Sequence, residues 1–254
     1  MEEPIEKRYP PVTEMTDAER ITIVKDVFST VNRKYDFLNH FLSLRRDVAW
    51  RRFTVRKMRF FKTYRFLDVA TGTGDVAIDA ASRYQRLEVT GLDFVQEMLD
   101  SGWVKIAKNR LSERIRLLQG DAMNLPFPDN NFDVSGIAFG LRNIPDKVRA
   151  LREMIRVVVP GGQVMVLDMT FPQIRLLKGI YGIYLNRILP RLARLFSRNP
   201  AAYGYLADSI MNFLTPEALA RLMQEVGLTK VERYALTFGL TYLHIGYKPN
   251  GIAK

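Results

Sequence analysis

The sequence predicts a doubly wound α/β fold, a mostly parallel sheet of about seven strands with helices on both faces. Three observations predict it. From residue 65 to 170, short apolar runs alternate with helix-period runs, the pattern of repeated strand–helix units. The first unit turns on Gly72 and Gly74, between the apolar run Phe66, Leu67, Val69 and a helical start at Asp75. Small and acidic residues then recur where successive strands end, as in open sheets that bind ligands at their carboxyl edge.

Taken in order, residues 1–15, with Pro4, Pro10 and Pro11, read as a flexible arm. Thr16 and Glu19 make a capping box, and Ile21, Val24, Phe28 and Val31 follow at helical spacing. Tyr35 to Ser43 continue with aromatic and aliphatic residues, then Arg45, Arg46, Arg51, Arg52, Arg56 and Lys57 form a basic, helix-compatible stretch. Residues 16–62 thus read as a helical cap. Strands are expected at 65–70, 87–92, 115–119, 132–138 and 163–168, and helices at 75–84, 95–111 and 145–158. Val148, Leu151, Ile155 and Val158 give the last helix one apolar face, and Pro160-Gly161-Gly162 are expected to stop it. Segment 171–213 reads as a lid inserted after the fifth strand, with a helix at 203–213. Pro216 suits the first position of a further helix. Val231–Tyr234 and Leu240–Tyr247 are expected to close the sheet as two antiparallel strands. Residues 16–254 therefore form one domain.

Composition narrows the chemistry. The chain has no cysteine, which excludes disulfides, thiolate metal sites and a cysteine nucleophile. No metal site is expected. Its acidic, polar first residues are unlike a secretory signal, and no stretch approaches the ~20 apolar residues of a membrane span. The expected location is the cytoplasm. The net charge of +11 leaves nucleic acid, an anionic membrane surface or nothing specific as its explanation.

Gly72-x-Gly74-x-x-Ala77 satisfies the loose dinucleotide pattern. Two acids redirect that reading. Asp68 lies inside the strand before the turn, placed to meet a cationic group rather than a pyrophosphate. Asp93 ends the next strand, at the spacing of a carboxylate that grips ribose hydroxyls. A ligand with a ribose, a positive charge and no phosphate fits both, and S-adenosylmethionine is such a ligand. Its expected contacts include Thr71, Gly72, Thr73 and Gly74 in the turn, with Phe94 and Met98 packing on the adenine. Asp121 is placed to accept from the adenine amino group, Ala122 offers a backbone N–H, and Ala138 ends the fourth strand.

Further segments carry a family resemblance. They are Val27-Phe28-Ser29-x-Val31-x-x-Lys34-Tyr35-Asp36-x-x-Asn39, Gly120-Asp121-Ala122-x-x-Leu125-Pro126-Phe127-Pro128-Asp129 and Ala138-Phe139-Gly140-Leu141-Arg142-Asn143-Ile144. Tyr205-Leu206-x-x-Ser209-Ile210 and Leu243-His244-x-Gly246-Tyr247-Lys248 complete them. Residues 65–170 resemble class I S-adenosylmethionine-dependent methyltransferases with a Rossmann-like fold. Over about residues 20–248 the chain resembles the ubiquinone/menaquinone biosynthesis C-methyltransferase family. It departs from that family's usual pattern at Ala70 or Thr71, where glycine is common, and at Asp168-Met169-Thr170 in place of Glu-Phe-Ser.

The resemblance implies C-methylation of a demethylated isoprenoid quinol, demethylmenaquinol first, with S-adenosylmethionine leaving as S-adenosylhomocysteine. Such an in-line displacement needs neither a metal nor a covalent intermediate. Arg142 is the candidate for stabilising a phenolate or ordering a water, Asn143 for holding a second hydroxyl and His244 for a general base. Structural roles stand beside these: Arg142 paired with Asp146, His244 as a buried strand residue, and Tyr35, Tyr203 and Tyr205 as packing. Tyr35 also has the length to reach the donor's methionine end.

Arg175, Lys178, Arg187, Arg191, Arg194 and Arg198 alternate with large aliphatics and no acid between 171 and 200. That composition suits an amphipathic lid resting on an anionic membrane, or a buried helix pair with snorkelling arginines. The expected protein is thus cytoplasmic and peripherally membrane-associated, without a nucleic-acid partner and with room for a homodimer. An RNA methyltransferase, a noncatalytic cofactor-binding scaffold, and a methyltransferase for phosphatidylethanolamine or a chromanol precursor are the rivals.

Overall fold

The computed structural model describes residues 9–43, 45–171, 179, 181–183 and 201–250, without the side chains of 31–42. The strands are β1 Arg65–Val69, β2 Glu88–Asp93, β3 Ile115–Gln119, β4 Phe132–Ala138, β5 Val158–Met169, β6 Thr229–Leu236 and β7 Thr241–Tyr247. They form one sheet in the order β3-β2-β1-β4-β5-β7-β6. Strands β1 to β5 are mutually parallel, and β7 runs antiparallel to β5 and β6. The chain winds outward from β1 to β3, then crosses to β4. The resulting switch point, at the carboxyl ends of β1 and β4, is where such sheets open a ligand crevice.

Each strand is where its apolar content puts it. Phe66, Leu67 and Val69 are fully buried because parallel strands are covered on both faces. Asp133 is also fully buried, inside β4, and solves a separate problem. Its carboxylate accepts from the backbone N–H groups of Lys62, Thr63 and Tyr64 at 3.1, 2.9 and 2.6 Å, fixing the path into β1.

Helices α1 Asp17–Leu42, α2 Arg46–Lys57, α3 Asp75–Arg83, α4 Gln96–Lys108, α5 Lys147–Val157, α6 Ala201–Met211 and α7 Pro216–Glu225 surround the sheet. The expected capping box opens α1: Glu19 Oε2 accepts from Thr16 N at 2.8 Å, and Thr16 Oγ1 accepts from Glu19 N at 3.3 Å. Thr215 caps α7 by accepting from Ala218 N at 3.2 Å, with Pro216 next in the chain. One core gathers α2 and α3 residues such as Trp50, Val55 and Ala77 on one face of the sheet. A second gathers α5 and α7 residues such as Leu151, Met154, Leu219 and Met223 on the other. A third joins Val12, Val27, Tyr203, Tyr205 and Ile210 above the carboxyl edge. No helix among the described residues is long and apolar enough to cross a membrane.

Three expectations change. Residues 9–15 are not free of the fold: Val12 is buried, its N–H donates to Asp208 Oδ2 at 2.5 Å, and its carbonyl accepts from Arg20 Nη2 at 2.7 Å. Pro160-Gly161-Gly162 do not stop α5, because β5 begins at Val158 immediately after it. The three residues are instead absorbed in a register shift against β4, where a Cβ on Gly162 would stand 2.6 Å from Asp133 O. Arg175, Lys178, Arg187, Arg191, Arg194 and Arg198 lie outside the described residues.

Candidate active site

The turn after β1 is built from left-handed backbone. Ala70, Gly72 and Gly74 have φ of +52°, +58° and +81°. The path is stapled from several sides: Thr71 N donates to Leu92 O at 3.0 Å, and Gly74 N donates to Thr71 O at 2.9 Å. Gly72 N donates to Asp93 Oδ2 at 2.8 Å, and Val95 N donates to Asp93 Oδ1 at 2.9 Å. One carboxylate therefore ties the glycine turn to the corner between β2 and α4. Each of its oxygens has a second lone-pair direction for a ligand hydroxyl. Burial raises the Asp93 pKa, and the backbone donors oppose that shift.

Asp68 does something other than expected. It is buried beneath the turn rather than lining the cavity, and accepts from Thr71 Oγ1 at 2.6 Å. Burial pushes its pKa up to about 7, against the hydrogen bonds from Thr71 and the Ala77 backbone. Its place is to shape the turn from behind. Thr73 is also buried, its hydroxyl accepting from Lys105 Nζ at 3.1 Å. Gly74 opens α3 as its N-cap.

A cavity opens in front of this turn. Gly72, Asp93, Phe94, Met98, Asp121, Ala122 and Ala138 line it, all anticipated from the sequence. Thr71, Thr73 and Gly74 shape the turn without lining it, and the side chain of Tyr35 lies outside the described residues. Asp121 is exposed, and its Oδ1 accepts from Met123 N at 2.8 Å, holding the loop after β3. Ile21, Val24 and Phe28 roof the cavity from α1, a role the helical periodicity did not reveal. Phe139 and Gly140 close the far wall. Gly140 is needed there, since a Cβ would stand 2.7 Å from the Ala70 Cβ.

Beyond Gly140, a single 3-10 turn spans Leu141–Asn143. Asn143 lines the cavity, while Arg142 sits one residue back and 5% exposed. Asp168 braces Arg142 twice, accepting from its Nη1 at 2.5 Å and from its backbone N at 3.2 Å. Met169 N donates to the same carboxylate at 2.8 Å. Asp146, the ion-pair partner considered as the structural alternative for Arg142, instead caps α5 by accepting from Arg149 N at 2.9 Å. Tyr205, from α6, donates its hydroxyl to Asn143 Oδ1 at 3.2 Å. Both side chains are buried, and burial raises the Tyr205 pKa, so the phenol keeps its proton to donate.

His244 stands apart. It lies in β7 opposite Val166 and Arg233 and does not line the cavity. Its Nε2 is 2.9 Å from Pro216 O, and burial pushes its pKa down to about 4. It is a neutral residue that joins β7 to the start of α7.

The model of the ubiE/COQ5 methyltransferase family matches residues 13–248. The chain belongs to the ubiE/COQ5 methyltransferase family. It is 40% identical over 239 residues to the demethylmenaquinone methyltransferase of Deinococcus radiodurans, covering 94% of this chain and 97% of the relative. It is 39% identical over 226 residues to the ubiquinone/menaquinone biosynthesis C-methyltransferase of Geotalea daltonii, covering 89% and 96%. A solved S-adenosylmethionine-dependent methyltransferase from Thermotoga maritima matches with a TM-score of 0.61 at 18% identity, covering 88% of this chain and 99% of that one. The [4+2]-cyclase SpnF matches as well, with a TM-score of 0.60 at 18% identity, covering 80% and 81%. Those structural likenesses establish the fold, and the cyclase among them shows that the fold alone does not fix the chemistry. Membership makes this chain a methyltransferase that uses S-adenosylmethionine. The described lining is compatible with that donor, with the Asp93 carboxylate in the wall beside the apolar side chains of Phe94 and Met98.

Proposed function

We propose that this member of the ubiE/COQ5 methyltransferase family transfers a methyl group to a ring carbon of a demethylated isoprenoid quinol, most directly demethylmenaquinol. The observation that carries the reading is the Leu141–Asn143 turn, which puts Asn143 in the cavity wall, with Tyr205 bound to Asn143 and Asp168 bound to Arg142. The names of the Deinococcus and Geotalea relatives support the acceptor class.

In this reading Asp93 accepts the ribose hydroxyls, Phe94 and Met98 hold the adenine, and Asp121 with the Ala122 N–H reads its edge. Gly72 lets the backbone approach closely. S-adenosylmethionine supplies an electrophilic methyl group on a sulfonium. The remaining work is positioning, to a near-attack distance of ~3–3.5 Å, and activation of the ring. A phenol ionises with a pKa of ~10, and lowering it by two units is worth ~2.7 kcal/mol. Arg142, paired with Asp168, serves this from behind the turn as an oriented ion pair whose cationic member adjoins Asn143 in the chain, while Asn143 holds a quinol hydroxyl. The roof from Ile21, Val24 and Phe28 excludes water. His244 takes no part. The acceptor is small and lipophilic, and the enzyme meets it at an anionic membrane surface.

The test is transfer of labelled methyl to demethylmenaquinol, a demethylated benzoquinol, phosphatidylethanolamine and RNA in parallel. Label in a quinol is expected. Label only in phospholipid or RNA overturns the acceptor assignment. Asp93→Ala should weaken donor binding at least ~10-fold, the loss of about 1.4 kcal/mol; unchanged affinity would mean the ribose contact is misplaced.

A further inference from the structure

The turn between β6 and β7 holds an arrangement that methyl transfer does not use. Thr237, Phe238 and Gly239 have φ of +45°, +55° and +83°, three successive residues in left-handed backbone. Side chains with a Cβ resist that conformation, so surrounding contacts must impose it. They are present. Trp50 Nε1 donates to Thr237 Oγ1 at 2.8 Å, Thr170 Oγ1 donates to Gly239 O at 3.3 Å, and Thr170 N donates to Leu240 O at 3.1 Å.

The result is that Phe238 is held out in solvent. It is 84% exposed, more than any other large hydrophobic residue described. A phenyl ring left in water adds nothing to folding, so the exposure of Phe238 itself has no stabilising role in the fold.

Its position is informative. Leu236 pairs with Thr241, and Thr241 with Met169, so the turn stands at the same sheet edge as the Arg142–Asp168 pair. Trp50, which anchors Thr237, has its ring 6.1 Å from that of Phe139 in the cavity wall. Arg46 lies one helical turn before Trp50 on the same face of α2, and Arg45 precedes it; both are exposed. An exposed aromatic ring, whose neighbour Thr237 is anchored to Trp50 one helical turn from the exposed Arg46, at the cavity-bearing edge of a chain of net charge +11, matches the chemistry of an anionic bilayer.

We propose that the β6–β7 turn is a membrane-docking wedge. Phe238 enters the headgroup boundary of an anionic bilayer, and Arg45 and Arg46 meet lipid phosphates, turning the sheet's carboxyl edge toward the lipid. The proposal rests on the reading that the acceptor is a quinol held in the bilayer. Hydrophobic insertion and charge act together because either signal alone binds weakly and reversibly.

The test is co-sedimentation of the full chain with phosphatidylglycerol-containing and pure phosphatidylcholine vesicles at low and high salt. Three proteins are compared: wild type, Phe238→Ser, and Arg45→Glu with Arg46→Glu. Wild type is expected to prefer anionic vesicles and to lose binding with salt. Phe238→Ser should bind about 10-fold less, melt at the wild-type temperature, and methylate a short-chain, water-soluble quinol at the wild-type rate. Its turnover of vesicle-embedded quinol should fall. Wild-type vesicle binding by Phe238→Ser overturns the wedge. So does a shift of that variant from dimer to monomer, which would make a second copy the partner of Phe238. A wild-type enzyme inactive on every quinol would sink the acceptor reading, while vesicle binding would still decide the wedge on its own.

Discussion

Replacing Asp168 by alanine isolates the strongest electrostatic commitment near the site. Its carboxylate accepts from Arg142 Nη1 at 2.5 Å, Arg142 N at 3.2 Å and Met169 N at 2.8 Å, and its side chain is 1% exposed beside an Arg142 side chain 4% exposed. Removing one partner of a buried pair leaves the other charge uncompensated, at a cost of about 3–5 kcal/mol. For a chain of this length each kcal/mol lowers the melting temperature by about 2–4 °C, so Asp168→Ala should melt roughly 6–20 °C below wild type. Calorimetry gives the temperature and urea titration the free energy. The pair Arg142→Met with Asp168→Leu should recover the part of that stability lost to the unpaired charge, while the Arg142 and Met169 backbone N–H groups still lose their acceptor. Its methyl-transfer activity should not return, since Arg142 is the proposed cation. A loss below about 1 kcal/mol, the range of an exposed pair, or recovery of activity in the double variant, would refute the reasoning.

Tyr205→Phe removes only the hydroxyl that reaches Asn143 Oδ1. It should cut kcat about 10-fold, about 1.4 kcal/mol, leave donor affinity unchanged, and cost nothing further in an Asn143→Ala background; additive losses would show that Tyr205 does not act through Asn143. Gly140→Ala places a Cβ 2.7 Å from the Ala70 Cβ and 3.0 Å from Ile137 Cγ1, and should destabilise by about 1–3 kcal/mol. Adding Ala70→Gly removes that clash and relieves the +52° φ, so the double variant should regain stability in urea titration. His244 is neutral in the fold, with a pKa lowered from 6.5 to about 4. The unfolded chain therefore gains its proton first, and stability falls by up to about 3 kcal/mol as pH drops through that window. His244→Gln should flatten that dependence relative to wild type between pH 7 and 4.5; parallel curves would contradict the shift. Asp68, raised from 3.8 to about 7, runs the opposite way, losing stability as pH rises through that range, so the comparison must be made against wild type.

The central strands were legible because parallel strands buried on both faces read as apolar runs between glycines and acids. The expected β3 and β4 agree with the observed bounds at Ile115–Gln119 and Phe132–Ala138. The glycine turn and the place of Asp93 in the cavity wall were legible for a related reason: left-handed backbone selects glycine, and a carboxylate that ends a parallel strand stands at the sheet edge where a crevice opens. What failed to show was which distant surfaces meet. Ile21, Val24 and Phe28 announced a buried face of α1 but not that it roofs a cavity. Asp146 was the structural alternative considered for Arg142, whereas Ala138 pairs with Leu167 and so brings the end of β4 beside Asp168. That signal was available, since adjacent parallel strands end at the same edge. Nothing local marked Tyr205 as a partner of Asn143, 62 residues away. Asp68 illustrates a different limit: an acid near a turn serves a ligand or the turn, and its burial and 2.6 Å contact with Thr71 Oγ1 were not readable from its position in the strand.

The most direct measurement is the position of the transferred group. Reaction of demethylmenaquinol with donor carrying a deuterated methyl, followed by NMR and mass analysis of the product, reports which atom received it. A deuterated methyl on the quinol ring carbon is the predicted result. The same label on a hydroxyl oxygen, or in no quinol at all, would contradict the account.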